Sequence, residues 1–224
     1  MTTISENLKI INNFVTQNVK LVAVSKAQSL DTIMDAYTAG HRIFGENKVQ
    51  EILLKRERLP DDILWHFIGH LQTNKVKQIV SFVDLIQGVD SLKLLEYINK
   101  ESKKINRTVK CLLQIHIADE MTKFGFSEEE LFELLKSGVI NSLENITICG
   151  LMGMATFTDN TQQIRKEFKN LKRIFDSAKN NYFFDNDNFT ELSMGMSDDF
   201  KIAIEEGSTM IRVGSSIFGL RKYN

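Results

Sequence analysis

Eight short apolar runs, nearly every one followed by a stretch with helical spacing, constrain this chain more than any other feature. The first four are Leu21–Lys26, Arg42–Glu46, Leu64–Ile68 and Phe82–Ile86. The last four are Val109–Ile117, Ile146–Met152, Thr190–Ser193 and Met210–Val213. Most are rich in β-branched and aromatic residues, as buried strands are. Ser29, Thr73, Ser91, Ser127 and Ser197 stand where helices should begin, and Gly40, Gly138 and Gly207 where they should stop. Ser127-Glu-Glu-Glu130 has the form of a capping box. Ile4, Leu8, Ile11 and Val15 mark an amphipathic helix ahead of the first run. No linker or low-complexity break divides the chain. Eight βα units predict an α/β fold: one (β/α)₈ TIM barrel over residues 1–224, with an extra N-terminal helix. An open doubly-wound sheet is the alternative, and the count of eight disfavours it.

The bulk numbers agree with one large α/β unit. The chain has 224 residues, and its 28 basic and 29 acidic side chains give a net charge of −1. The signs are mixed throughout, so no basic stripe argues for nucleic acid or a membrane surface. Arg165–Arg173 looks basic, but Phe168 and Leu171 punctuate it at helical spacing, as on the solvated face of a helix. The two cysteines, Cys111 and Cys149, lie in apolar runs and make no disulfide framework, which points to a reducing, cytoplasmic setting. No apolar stretch is long enough to span a membrane, and the N-terminus lacks the pattern of a signal peptide.

In a barrel, functional groups belong where strands end. Lys26 closes the first run on the same face as Val22 and Val24. An ammonium against apolar walls loses hydration, its pKa falls, and the neutral amine can attack a carbonyl. Taken alone, a lysine there is more often simply exposed. Asn47 follows the second run and His70 the third; Gln114, His116 and Thr156 follow the fifth and sixth. The last two runs lead into Ser193-Met-Gly-Met-Ser197 and Gly214-Ser-Ser216, loops that suit a phosphate. Arg212, inside an apolar strand, needs a partner. That partner is a carboxylate such as Asp84 or Glu191, or a ring nitrogen of a cofactor. Lysine, phosphate loops and buried arginine together fit pyridoxal phosphate. His66 and His70 have a spacing that would suit a metal on a helix, but they fall on a strand and its loop, which argues against zinc.

At these residues the chain resembles the pyridoxal 5′-phosphate homeostasis protein family, itself similar to the N-terminal barrel of bacterial alanine racemase. The matching pieces are Ala23-Val-Ser-Lys26, Phe44-Gly-Glu-Asn47, Trp65–Lys75, Gly150-Leu-Met152, Leu192–Asp199 and Gly207–Gly219. The resemblance implies a Schiff base between the cofactor and Lys26. It implies phosphate contacts from Ser193, Ser197, Gly214 and Ser215, with Arg212 at the pyridine nitrogen. Asn47 and His70 complete the implied cofactor-binding set, and Lys123 matches a further lysine of the family pattern. Two departures lie near the fifth and sixth strands: His116 where the family has asparagine, and Ala155-Thr156 where it has a proline.

The function so implied is holding and delivering pyridoxal 5′-phosphate inside the cell, without catalytic turnover. PLP-dependent apo-enzymes would be the recipients, and the protein would be a monomer or weak homodimer. The alternatives are a PLP-dependent amino-acid racemase and a barrel enzyme for a phosphorylated metabolite. A racemase needs a second acid/base opposite Lys26, supplied in alanine racemase by a separate β domain. Asn224 follows soon after the last barrel unit, so no such domain is expected.

Overall fold

The protein is described by a computed structural model that covers residues 2–119 and 124–219. Its strands are β1 Lys20–Val24, β2 Ile43–Glu46, β3 Leu64–Phe67, β4 Leu85–Val89, β5 Val109–Ile115, β6 Ile146–Gly153, β7 Glu191–Ser193 and β8 Met210–Val213. Each pairs in parallel with the next, and β8 returns to β1 in the register Lys20↔Met210 to Ala23↔Val213, closing the barrel. The open-sheet alternative is thereby excluded.

The helices are α1 Ile4–Asn12, α2 Leu30–Thr38, α3 Val49–Arg56, α4 Val76–Ile79, α5 Leu92–Lys104, α6 Glu128–Lys136, α7 Thr161–Tyr182, α8 Phe200–Glu205 and α9 Ser215–Phe218. Ser29, Ser91 and Ser127 cap α2, α5 and α6 through their side chains, and Ser127 forms its capping box with Glu130. α1, the extra N-terminal helix, carries a second capping box, Thr3 with Glu6. It buries Leu8 and Ile11, and the Asn7 amide donates to the Ile217 carbonyl at 2.9 Å. The added helix therefore backs the short α9 turn. No helix among the described residues is long and apolar enough to cross a membrane.

Strand alternation divides the core in two. Ala23, Phe44, Ile86 and Cys111 point outward and pack under the helices. Val22, Leu85, Leu112, Cys149, Met152 and Met210 fill the barrel axis. A bulge in β6 needs Gly150, whose φ is +151° and whose added Cβ would lie 1.8 Å from the Glu191 carbonyl oxygen.

Three expectations need correction. The fourth strand lies at Leu85–Val89, three residues beyond the expected start at Phe82. Val83 is buried in the core and Phe82 packs partly buried against it, ahead of the strand, whereas the strand itself includes Gln87 and Gly88. Thr73 opens a 3₁₀ turn, Thr73–Lys75, ahead of α4 and makes no side-chain cap. Ser197 does not begin a helix: α8 starts at Phe200, after Asp199.

Candidate functional site

β1 ends at Val24, and Lys26 stands in the turn that follows, partly buried. Ser25 is fully buried with its hydroxyl on Glu46 Oε1, and β1 stops two residues short of the expected strand end at Lys26. Its neighbour Ala27 has φ +59°, the left-handed region, which costs a non-glycine residue about 1–2 kcal/mol. Three charged side chains surround this turn from below. Lys55 Nζ donates to the Ser25 carbonyl and to Glu46 Oε1, both at 2.8 Å, and Glu51 Oε2 accepts the Ala27 N–H at 3.0 Å.

β8 lies beside β1, with Arg212 opposite Val22 and Val213 opposite Ala23. Gly214 continues this register against Val24: a Cβ there would meet the Val24 carbonyl oxygen at 3.3 Å. The loops after β7 and β8 touch, because Gly214 N–H donates to Ser197 Oγ at 3.1 Å. Ser215 is exposed at the start of α9, so the first N–H groups of that turn open to the same rim. The Asp199 carboxylate is turned into its own loop, accepting the Met196 N–H at 2.5 Å, while Asp198 is exposed.

Arg212 is buried in the barrel axis. It donates to Ser193 Oγ at 2.6 Å and to the Gly153 carbonyl at 2.9 Å. Neither Asp84 nor Glu191 pairs with it: Asp84 lies near His66 and Lys110, and Glu191 pairs with Lys20. No carboxylate among the described residues is within ion-pair distance. Burial lowers the guanidinium pKa to about 10, with the Asp199 charge working the other way, so it is a cation at neutral pH.

Beneath Arg212 the polar contacts continue down the axis. Ser193 is fully buried, and its hydroxyl donates to Gln87 Oε1 at 2.7 Å. Gln87 Nε2 lies 3.0 Å from His66 Nδ1, and His66 Nε2 lies 3.6 Å from Asp84. With the Gln87 amide donating, His66 Nδ1 is the acceptor and Nε2 carries the proton. Ser193 thus sits under Arg212, deeper than the rim loop to which the sequence pattern assigned it.

Asn47 follows β2, beside β1, and His70 follows β3, the next strand round the same rim. Gly69 is pressed against Asn47: a Cβ at Gly69 would lie 2.5 Å from the Asn47 carbonyl oxygen and 2.9 Å from its Cβ. His70 is exposed, bonded through Nδ1 to Asp90 at 2.7 Å and stacked on Phe124 with ring centroids 4.0 Å apart. Gln114 Nε2 donates to the Phe124 carbonyl at 2.9 Å, and His116 Nε2 is 2.9 Å from the Ala118 carbonyl oxygen. Thr156 is held by Glu167 through both its N–H and its hydroxyl. Lys123 lies outside the described residues.

The sequence assigns no site role to Gln87, Glu51 or Lys55. Glu51 and Lys55 have helical i, i+4 spacing, a signal present in the sequence. Gln87 was hidden by the misplaced fourth strand.

Comparison with known proteins bears on this geometry. The sequence pattern of the alanine racemase N-terminal domain matches residues 1–222. A pyridoxal phosphate homeostasis protein of Aquifex aeolicus is 40% identical over 205 residues, 91% of this chain and 88% of that protein. One from Schizosaccharomyces pombe is 36% identical over 229 residues, covering 99% and 94%. The solved structure of PipY from Synechococcus elongatus with PLP bound superposes with a TM-score of 0.88 at 33% identity, covering 97% of this chain and all of that one. An alanine racemase of Clostridium difficile shares the fold alone, with a TM-score of 0.79 at 16% identity, over 99% of this chain and 57% of the enzyme.

Proposed function

Since the chain belongs to the alanine racemase N-terminal domain family, and within it to the pyridoxal phosphate homeostasis proteins, we propose that it binds pyridoxal 5′-phosphate as a Schiff base on Lys26 and delivers it to PLP-dependent apo-enzymes. The observation that carries this reading is the shared β1–β8 edge. Lys26 follows β1, and Arg212, Gly214 and Ser215 follow one another along β8 and its loop. The donor set fits the cofactor: an amine for its aldehyde, loop N–H and hydroxyl groups for its phosphate, and a buried guanidinium for its ring nitrogen. Arg212 has its side-chain bonds with a hydroxyl and a carbonyl, so its positive charge is free to take up the acceptor nitrogen of a ring.

In this reading Ser197, Gly214 and Ser215 hold the phosphate, and Ser193 acts by orienting Arg212. Asn47 and His70 line the rim on the β2–β3 side of Lys26, where His70 is fixed by Asp90 and Phe124. Residues 1–224 act as one cofactor-binding unit, as a monomer or weak homodimer in the cytoplasm, a setting in keeping with the buried free thiols of Cys111 and Cys149.

Pyridoxal phosphate supplies an aldehyde that takes up amines and a ring that stores carbanion charge when its nitrogen is protonated. A guanidinium keeps its own proton and donates to that nitrogen, so the ring stays a poor electron sink. The protein therefore holds the group without turning amino acids over. The test is a pair of assays on the loaded protein: transfer of cofactor to an apo-enzyme, and Cα deuterium exchange of added amino acids. Restored apo-enzyme activity with slow exchange supports the carrier reading. Rapid exchange that is lost in Lys26→Ala would replace it with a racemase-like enzyme.

A further inference from the structure

We propose that Glu51 and Lys55 are positioning residues for Lys26: they hold the peptide groups on either side of it and so fix where its amine is presented. The proposal rests on the reading of Lys26 as the amine that takes up the cofactor's aldehyde.

The two contacts bracket one residue. The Ser25 carbonyl, which accepts from Lys55 Nζ at 2.8 Å, belongs to the peptide before Lys26. The Ala27 N–H, which donates to Glu51 Oε2 at 3.0 Å, belongs to the peptide after it. With both planes fixed, the Lys26 backbone dihedrals have little freedom. Ala27 is held with φ +59° at the same point. A turn in the left-handed region persists only where its surroundings over-determine it.

The anchor is rigid. Lys55 Nζ also bonds Glu46 Oε1 at 2.8 Å and Glu51 Oε2 at 3.3 Å, and Ser25 Oγ donates to Glu46 Oε1 at 2.6 Å. Lys55 and Glu46 are buried, and Glu46 Oε2 has no hydrogen-bond partner. Burying such a pair is costly, and apolar side chains would pack α3 on β2 as well. α3 already does so through Val49 and Ile52. What the charges add is a grip on the backbone of the Lys26 turn. Desolvation pushes the Glu51 carboxyl up, but the Ala27 N–H and Lys55 outweigh it and hold it below its ordinary range, so it stays an anionic acceptor at neutral pH.

When the cofactor is taken up, the neutral Lys26 nitrogen bonds to the aldehyde carbon, the carbon–oxygen bond breaks, and the oxygen leaves as water with the two protons given up by the amine. The rate depends on where that nitrogen stands. Glu51 is partly exposed, so Glu51→Ala removes one grip while leaving the Glu46–Lys55 pair in place. Glu51→Gln keeps an acceptor for the Ala27 N–H.

The experiment measures the rate of pyridoxal phosphate attachment to Lys26, by borohydride quench and peptide mass, in wild type and both variants. Attachment in Glu51→Ala is expected to slow roughly tenfold or more, with most of the rate restored in Glu51→Gln. Lys55→Met, which keeps the stem without the charge, is expected to slow it too. Equal rates in wild type and Glu51→Ala would overturn the positioning role while leaving the cofactor reading intact. Should wild type attach no cofactor at Lys26, the cofactor reading fails. The positioning role is then decided by competitive acetic anhydride labelling of Lys26 in the unloaded protein, and an unchanged labelling rate in Glu51→Ala overturns it.

Discussion

Arg212 donates to Ser193 Oγ at 2.6 Å, and that hydroxyl in turn donates to Gln87 Oε1 at 2.7 Å. A single serine thus joins the buried guanidinium to the polar contacts that run down the barrel axis. Ser193→Ala leaves an Arg212 N–H and the Gln87 carbonyl oxygen without this partner. The expected loss is about 1–3 kcal/mol, read from the urea midpoint. An unchanged midpoint would mean that neither group depends on the hydroxyl.

His66, at the lower end of those contacts, makes stability depend on pH. Burial holds its imidazole below the ordinary histidine range, against the pull of Asp84. Folding therefore favours the neutral ring. That contribution is complete above the unfolded value of about 6.5 and is lost as pH falls through the depressed folded value. In His66→Gln the loss should disappear. The wild-type stability measured relative to this variant should begin to decline as pH falls below about 7.5 and go on falling until the depressed folded value is passed. Burial also depresses His41, but that group is common to both proteins and cancels in the difference. A pH-independent difference would contradict the assignment.

Ser197 joins the two loops of the proposed phosphate cradle by accepting the Gly214 N–H, and Ser215 opens the α9 turn beside it. A charge-assisted hydrogen bond contributes about 1.5–3 kcal/mol, so Ser197→Ala and Ser215→Ala should each weaken cofactor binding roughly tenfold or more. Equilibrium titration of the two variants checks this. Wild-type affinity in both would put the phosphate elsewhere.

Gly69 has no room for a side chain, since an added Cβ would meet the backbone of Asn47 at 2.5 Å and 2.9 Å. Gly69→Ala must displace the β2 or β3 loop, at about 1–3 kcal/mol. Cofactor affinity should fall with stability if Asn47 lines the site. A loss of stability with affinity unchanged would remove Asn47 from it.

The barrel was legible because apolar runs and serine caps recur in order. Met210–Val213 was placed to the residue, and Ser29, Ser91 and Ser127 cap as their spacing predicts. The misplaced strand has a physical cause. Val83 is as buried as any strand residue, while Gln87 and Gly88 look like a turn, and only the closed barrel makes an axial glutamine useful. Asp198-Asp199 looked like a helix start at Ser197, yet the Asp199 carboxylate turns back to the Met196 N–H and delays the helix to Phe200. The support of Lys26 by Glu51 and Lys55 was not legible as such. It depends on backbone groups of another element, which carry no sequence signal.

The central claim is that Lys26 carries the cofactor. Purified protein, loaded with pyridoxal phosphate and reduced with borohydride, should lose its visible absorption band. Peptide mass mapping should then find the reduced adduct on Lys26, and Lys26→Ala should show neither band nor adduct. An adduct mapping to Lys123 alone, or a band that survives in Lys26→Ala, would contradict the account.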